Sequence, residues 1–492
     1  MKYQLMNGVW ELTMACNMRC KHCGSSCNTR HEDELSLEEA YMVCDQLGAM
    51  NMAAITISGG ELTTRDDWHL IAKRLTDNGI YTSMITNGWL LNDDLIQKAK
   101  DAGIKNIAIS IDGLRDTHDF IRRKGSFDKD MDNLKRIKEY GIPCSVITTI
   151  HEQNLPELED MYTYFNKIGI TLWQLQIALP MGNFTHHADL YLKKEHISDI
   201  ISFAYAKKDG PILMCLGDSV GYYTKKEQSL KKEFYGEDVF WKGCPAGKYS
   251  IGILCNGDIV GCTSVRNPEF IEGNVRETPI ADIWNSDKHF LWNRNLKKSD
   301  LKGFCSECIY GESCLGGCSN SRYCFNDDIL CANEYCAYHQ DMKEYKEAID
   351  ACEEEEELKE FAFSCINDKH YQVALFAVNK LLLMKKEDIL YLQWYAFIQF
   401  QIKNYDTCIK ANERILAIEN NHSAAKKGLG LALYMSGKKE EGIRTVEESL
   451  ANGIADNYAD LYALYQAEKR FDDAERIQKE AMERFSVDIS KK

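Results

Sequence analysis

The sequence predicts an α/β protein built on parallel strands, followed by a small cysteine-rich segment and an all-α repeat. Three observations carry this. From Val9 to about Pro180 short apolar runs alternate with amphipathic helical stretches, the pattern of successive βαβ units. Cysteines then crowd between Cys244 and Cys336, and beyond Asp350 the periodicity is helical and self-similar at a spacing of 34 residues.

The strand-like runs are Val9–Ala15, Ala53–Ser58, Tyr81–Thr86, Asn106–Ile111, Pro143–Thr149 and Thr171–Leu179. Between them lie helical stretches at Leu37–Met50, Asp66–Asn78, Asp93–Ala102, Asp128–Tyr140 and Pro156–Ile168. The first run leads into Cys16-Asn-Met-Arg-Cys20-Lys-His-Cys23. Three thiolates at this spacing on a loop leaving a strand can sit on one face of an iron–sulfur cube and leave its fourth iron without a protein ligand. A structural zinc with Cys27 as fourth ligand is the alternative.

At 492 residues the chain is long enough for two or three domains. A hydrophobic share of 45% and a charged share of 27% are globular values. The formal charge of −16 and pI near 5.3 argue against a nucleic-acid partner held by phosphate contacts. No apolar run approaches the roughly twenty residues of a membrane span, and no signal peptide precedes the first strand. The expectation is therefore a cytoplasmic protein without membrane contact, whose 20 cysteines serve metal more than disulfides. Cys44, Cys144 and Cys215 stand alone and read as small core hydrophobes.

Later motifs fall at successive strand ends. Strand two ends in Ser58-Gly59-Gly60-Glu61, strand three in Thr86-Asn87-Gly88 and strand four in Ser110-Ile111-Asp112-Gly113. After them come His118-Asp119-Phe-Ile-Arg122-Arg123 and, on strand six, Gln174-Leu-Gln176. With the cysteine loop these resemble the radical S-adenosylmethionine (SAM) superfamily. His22 takes the position usually held by an aromatic, and Leu62 that of the usual proline. The resemblance implies a partial (β/α)6 TIM-type barrel, which periodicity alone does not distinguish from an open doubly wound sheet. It further implies a [4Fe–4S] cluster on Cys16, Cys20 and Cys23 whose open iron chelates SAM. Reductive cleavage of SAM then gives a 5′-deoxyadenosyl radical that abstracts hydrogen. By the same resemblance Gly59, Gly60 and Glu61 hold the SAM amino group, Ser110 and Asp112 lie near its ribose and methionine part, and Asn87 and His22 line the site. A guanidinium fork suits the SAM carboxylate, for which Arg122 is chosen over Arg123. Gln174 or Gln176 touches SAM or substrate, with Gln176 taken as the candidate.

The second cysteine territory reads Cys244-x12-Gly257-x4-Cys262, a gap, Cys305-x2-Cys308-x5-Cys314-x3-Cys318, a gap, and Cys336. Ile251–Cys262 reads as a β-hairpin with an Asn256-Gly257 turn. The pattern resembles the seven-cysteine SPASM extension, which binds two auxiliary [4Fe–4S] clusters, so three clusters are expected in all. The resemblance assigns Cys244, Cys262 and Cys318 to the first auxiliary cluster and Cys305, Cys308, Cys314 and Cys336 to the second. Cys255, Cys324 or a substrate thiolate would complete the first.

After the acidic run Glu353–Glu357 the positions Tyr371, Tyr405 and Lys439 recur every 34 residues, with Phe471 following after 32. Three residues on, each repeat carries a small side chain: Ala374, Cys408, Gly442 and Ala474. This resembles tetratricopeptide repeats, helix pairs stacked into a solenoid whose concave face commonly holds peptides. A structural cap or a dimerisation surface is the alternative, and Trp394, Tyr395, Phe397 and Phe400 are expected in its core.

The expected domains are 1–235, a radical SAM barrel; 236–349, the auxiliary-cluster domain; and 350–492, the helical repeat. The expected function is that of a maturase which installs a thioether or carbon–carbon crosslink in a ribosomally made peptide, drawing electrons from a flavodoxin or ferredoxin. The chain begins at its first strand, so the repeat is expected to serve for precursor recognition. An anaerobic sulfatase-maturating (formylglycine-forming) enzyme or a peptide epimerase is the runner-up. An iron–sulfur scaffold that works through its repeats is the reading from another class. No catalytic base is assigned.

Overall fold

The computed structural model describes residues 3–217, 220–236 and 241–491. The chain divides into two compact units, Met1–Asp341 and Met342–Lys492.

The first unit is organised on one ten-stranded sheet. Its strands are β1 Asn7–Glu11, β2 Ala54–Ser58, β3 Tyr81–Thr86, β4 Asn106–Ser110, β5 Cys144–Ile150, β6 Leu172–Ile177, β7 Leu213–Leu216, β8 Ser250–Ile253, β9 Asp258–Val260 and β10 Ile271–Asn274. Strands β1 to β7 run parallel in chain order, β8 adds in parallel to the free side of β1, and the antiparallel pair β9 and β10 completes that edge. The result is a partial α/β barrel, open rather than closed on itself. The helices between strands present apolar stripes to it. Leu37–Ala49 buries Ala40, Val43, Cys44 and Leu47, and its start is fixed by a capping box between Ser36 and Glu39. Trp10, Trp68 and Trp173 are among the largest buried side chains of the core.

Two differences from the sequence expectation have plain causes. Strand β1 stops at Glu11, because beyond Leu12 the backbone turns to meet the end of β2: Gly60 and Glu61 donate to the carbonyls of Thr13 and Ala15. Strand β7 was not expected; it spans four residues, and its Cys215 is half-buried at the sheet edge instead of in the core. Cys44 and Cys144 are buried as expected.

The strand faces that carry Val9, Ile85 and Leu172 also carry half-buried polar side chains: Thr56, Ser58, Ser83, Ser110, Thr149, Gln174 and Gln176. Thr56 and Ser83 share a hydrogen bond at 3.0 Å, while Gln174 donates to Gln176 and Gln176 to Thr149. No helix among the described residues is long and apolar enough to cross a membrane.

The second unit is a run of stacked helices. Four of them begin at the recurring positions of the sequence: Tyr371–Met384, Tyr405–Ile418, Lys439–Ser449 and Phe471–Phe485. Before each, one residue turns left-handed: Lys369, Lys403, Gly437 and Lys469. Ala374, Cys408, Gly442 and Ala474 are all buried, and a methyl group on Gly442 would meet the carbonyl of Gly430 at 2.6 Å. Small residues there let neighbouring helices approach closely. The aromatics divide differently from expectation. Trp394, Tyr395 and Phe400 are half-buried, whereas Phe397 is 44% exposed.

Candidate functional site

The loops at the C-terminal ends of β1 to β6 converge on the first cysteine group, as parallel barrels arrange their chemistry. Gly59 at the end of β2 has φ +154°, and a Cβ there would stand 2.6 Å from the Thr13 carbonyl; one on Gly60 would meet the Ala15 carbonyl at 2.4 Å. The two glycines thus let strand end two press directly on the backbone that carries Cys16. From the other side Gly182, after β6, packs on the carbonyls of Cys23 and Gly24. The cysteine loop is clamped between two close backbone approaches.

Cys16, Cys20 and Cys23 are half-buried, and N–H groups face two of them. The Cys16 sulfur lies 3.5 Å from the Met18 amide and 3.9 Å from the Asn87 side-chain amide, and the Cys20 sulfur 4.0 Å from Arg122. Burial pushes the Cys20 thiol up to about 12 and raises that of Cys16, while a hydrogen bond from Cys27 draws Cys23 down to about 5. Among the described residues no three His, Cys, Asp or Glu side chains gather about a single metal ion. A cube, whose irons each take one thiolate, suits more widely spread thiols than one zinc does. Partly open thiols with N–H donors aimed at sulfur, beside the unpartnered buried Nδ1 of His22, fit an iron–sulfur cluster with a further ligand.

Asp112 is the hub beneath the loop. It is fully buried, and its Oδ2 faces His22 Nε2 at 3.0 Å and Arg122 Nε, while its Oδ1 accepts the Thr149 amide at 2.8 Å. Burial alone would raise its pKa, yet the Arg122 guanidinium and His22 hold the carboxyl well below the usual carboxylate range. Arg122 therefore faces inward, already paired. Arg123 instead donates to the Asn17 carbonyl and lies 3.9 Å over the Trp89 ring. Glu61, 1% exposed, accepts from Thr63, from the Thr86 hydroxyl and from the Asn87 amide. It joins strand ends two and three beneath the loop. Ser110 and Gln176 face the same interior, half-buried.

Sequence reasoning missed three buried groups here. His118 and Asp130 face each other at 3.3 Å, both without exposure, and burial pushes Asp130 up to about 6. His151, just after β5, is fully buried with neither ring nitrogen partnered, and burial pulls it down to about 4. Glu11 of β1 pairs with Arg266 from the second cysteine territory. No spacing in the sequence marks either pair or the burial of His151.

The second territory gathers its cysteines as well. Cys305, Cys308, Cys314 and Cys336 line one cavity with Tyr222, Tyr223, Phe304, Tyr310 and Tyr338. Burial pushes Cys308 and Cys314 up to about 12 and Cys336 far above its ordinary value. Four thiols around an aromatic-walled cavity fit the donor set that a [4Fe–4S] cluster takes. Asn333 braces them: its backbone N–H lies 3.5 Å from the Cys305 sulfur, and its side chain donates to Tyr222, whose hydroxyl also accepts the Cys318 amide. Of the two cysteines left open by sequence, Cys324 lies in the electrostatic reach of Cys262, while Cys255 neighbours Glu34 and Glu11. The Cys324 sulfur is 3.8 Å from that of Met181, on the loop after β6.

Residues 10–165 match the radical SAM superfamily model, and residues 244–309 match the SPASM iron–sulfur cluster-binding domain. The AdoMet-dependent heme synthase of Methanosarcina barkeri is 28% identical over 344 residues, 68% of this chain and 97% of that protein. Mycofactocin maturase MftC of Mycobacterium tuberculosis is 28% identical over 320 residues, 64% of this chain and 78% of that protein. Among solved structures, Streptococcus suis SuiB bound to precursor peptide SuiA superposes with a TM-score of 0.54 at 15% identity, over 68% of this chain and 75% of that one. The structure of anSMEcpe with AdoMet and the Kp18Cys peptide gives 0.56 at 16% identity, over 69% and 96%. The cofactors are accordingly SAM and [4Fe–4S] clusters, those of the SPASM region included. An open barrel with three thiols at its first strand end, continued by a cysteine-lined cavity in the same sheet-bearing unit, is thus similar to radical SAM enzymes over residues 10–165 and to the SPASM domain over residues 244–309.

Proposed function

We propose that this chain is a peptide maturase that forms a thioether or carbon–carbon crosslink in a ribosomally made precursor. When bound, the first cluster and SAM supply a one-electron cleavage that yields a hydrogen-abstracting 5′-deoxyadenosyl radical. Cys16, Cys20 and Cys23 would hold that cluster. Asn87 and Arg122, whose N–H groups already face the sulfurs of Cys16 and Cys20, would steady its thiolates. Glu61, Gly59 and Gly60 would hold the SAM amino end, and His22, Asp112, Ser110 and Gln176 would line the remainder. Cys244, Cys262, Cys318 and Cys324 would hold one auxiliary cluster, and Cys305, Cys308, Cys314 and Cys336 the other. Cluster environment sets potential over a wide range, so the pair suits removal of the electron left on substrate after hydrogen abstraction. A ferredoxin or flavodoxin would supply the reducing electron.

The observation that carries the choice of a peptide is the second unit. Its stacked helices expose Phe363, Phe397 and Phe471, at 53%, 44% and 60%. Phe363 lies 6.0 Å from Trp394, and Phe397 lies 6.4 Å from Tyr371, centroid to centroid. Exposed aromatic surface on a tetratricopeptide-like stack suits an extended peptide. The proposed domain limits are 1–235, 236–349 and 350–492.

The test is co-expression with short reading frames neighbouring the gene, followed by mass spectrometry of the peptide. A loss of two hydrogens supports crosslinking, and an unchanged mass with altered stereochemistry points to an epimerase. A second reading is favoured by the match that spans 97% of a heme synthase: a porphyrin substrate. Mass change in an added iron porphyrin, with every peptide unchanged, would establish it. SAM left intact by the reduced, cluster-loaded protein would return the chain to the scaffold reading.

A further inference from the structure

Arg322 sits on the helix Ser319–Asn326, whose N-cap is Cys318. It is 1% exposed, and its Nε and Nη1 have no hydrogen-bond partner. Only Nη2 is engaged among the described residues, donating to the Ser319 hydroxyl at 3.2 Å. Among the described residues no carboxylate pairs with it. The guanidinium packs on the loop between Cys314 and Cys318: a Cβ on Gly316 would stand 2.9 Å from its Cζ and Nη1, and Gly316 holds φ +79°. Space for the guanidinium is therefore built into that loop.

A guanidinium does not shed its proton in a protein, and an isolated buried charge is strongly disfavoured unless something of opposite sign stands beside it. The groups that share its surroundings include the sulfurs of Cys305, Cys314 and Cys331, with Lys248 also near. In the thiol form these sulfurs offer no counter-charge. As four thiolates around an iron–sulfur core they carry a net negative charge, which grows by one when the core is reduced.

We infer that Arg322 is the built-in counter-ion of the auxiliary cluster held by Cys305, Cys308, Cys314 and Cys336, and that it raises the reduction potential of that cluster. The inference rests on the cluster assignment proposed above. It concerns a single electron: the core gains one negative charge, no bond is made or broken, and the fixed positive charge favours the reduced form. Nε and Nη1, unpartnered among the described residues, remain free to donate as the cluster fills its site, a second influence of the same sign. Arg322 thereby acts as a positioning and tuning residue, and helps this cluster to accept an electron.

The experiment is a mediated redox titration of the anaerobically loaded full chain, followed by low-temperature electron paramagnetic resonance, with iron and sulfide analysis on every sample. The signal that disappears in Cys308→Ala identifies the cluster. Arg322→Gln is expected to retain iron and sulfide and to make that cluster at least tenfold harder to reduce at fixed mediator poise, a fall of about 59 mV for one electron. Arg322→Lys is expected to keep most of the wild-type potential, and the N-terminal cluster should titrate unchanged in both. Full loading of Arg322→Gln at the wild-type potential would overturn the inference alone. If Arg322→Gln does not hold the cluster, recovery of loading in Arg322→Lys supports the counter-ion, and loss in both variants overturns it. Wild-type protein whose iron content and resonance are untouched by Cys308→Ala would instead overturn the cluster assignment, and the inference with it.

Discussion

Replacing Asp112 by Asn tests whether one buried carboxylate organises the cluster loop. The change keeps volume and leaves an oxygen for the Thr149 amide, and it removes the charge that faces Arg122 and His22. Arg122 is then left buried beside Cys20 without its partner. Removing one member of a buried pair costs about 3–5 kcal/mol. An unfolding entropy of about 2.1 cal/mol/K per residue gives roughly 0.7 kcal/mol/K for the first unit, Met1–Asp341. The midpoint should therefore fall by about 4–7 °C, measured by calorimetry on the metal-free chain at pH 7. Arg122→Met alone should destabilise comparably, because it strands Asp112. The double variant should recover most of the loss, since removing both partners removes the uncompensated charge. The pH dependence has a definite sign. The folded carboxyl titrates below its unfolded value, so its contribution is complete above about pH 4 and fades in stronger acid, where variant and wild type should converge. An unchanged midpoint in Asp112→Asn, or a double variant showing the sum of the two losses, would refute the hub.

Further outcomes follow from the same geometry. His151 is held near 4 by burial, so stability is full above its ordinary value of about 6.5 and declines below it; at pH 5 the loss is about 2 kcal/mol. His151→Phe should flatten the fall in melting temperature between pH 7.5 and pH 5, and an equally steep fall would exclude His151 as its source. Cys324→Ala should reduce iron and sulfide content and alter one resonance, while Cys255→Ala leaves both intact; the reverse result would exchange their roles. Deleting residues after about Asp350 should weaken precursor binding in a titration while SAM cleavage persists, and unchanged affinity would remove the helical unit from recognition.

What the sequence made legible was chemistry carried by short spacing. Three thiols within eight residues, a glycine pair at a strand end and four cysteines within fourteen residues are local patterns; of those four, Cys305, Cys308 and Cys314 line one cavity, joined there by the distant Cys336. Strand positions followed for the same reason, since a period of two is visible in five residues. The addition of β8 to β1 was not legible: Asn7 pairs with Ser250, and no local rule joins strands so far apart in the chain. Phe397 shows a second limit. Its helix, Ile-Leu-Tyr-Leu-Gln-Trp-Tyr-Ala-Phe-Ile-Gln-Phe-Gln, is apolar on nearly every face, so periodicity could not choose which aromatics a neighbouring helix would cover.

Charge compensation shows the deepest limit, because it runs in opposite ways at the two ends of the first unit. Beneath the first cysteine loop, Arg122 has a carboxylate from its own chain, so that charge is settled before any cofactor arrives. In the second territory Arg322 is as deeply buried with no carboxylate among the described residues. In the sequence neither Arg122 nor Arg322 shows whether a carboxylate meets it. Only burial and partner count separate a structural ion pair from a cation kept for an anionic cofactor. The two sites should therefore answer pH and loading differently. The Asp112–Arg122 pair stabilises the metal-free chain, and Arg322 strains it until thiolates form. Arg322→Met should accordingly raise the melting temperature of the metal-free chain and lower that of the loaded one. The same direction of change in both states would refute this division.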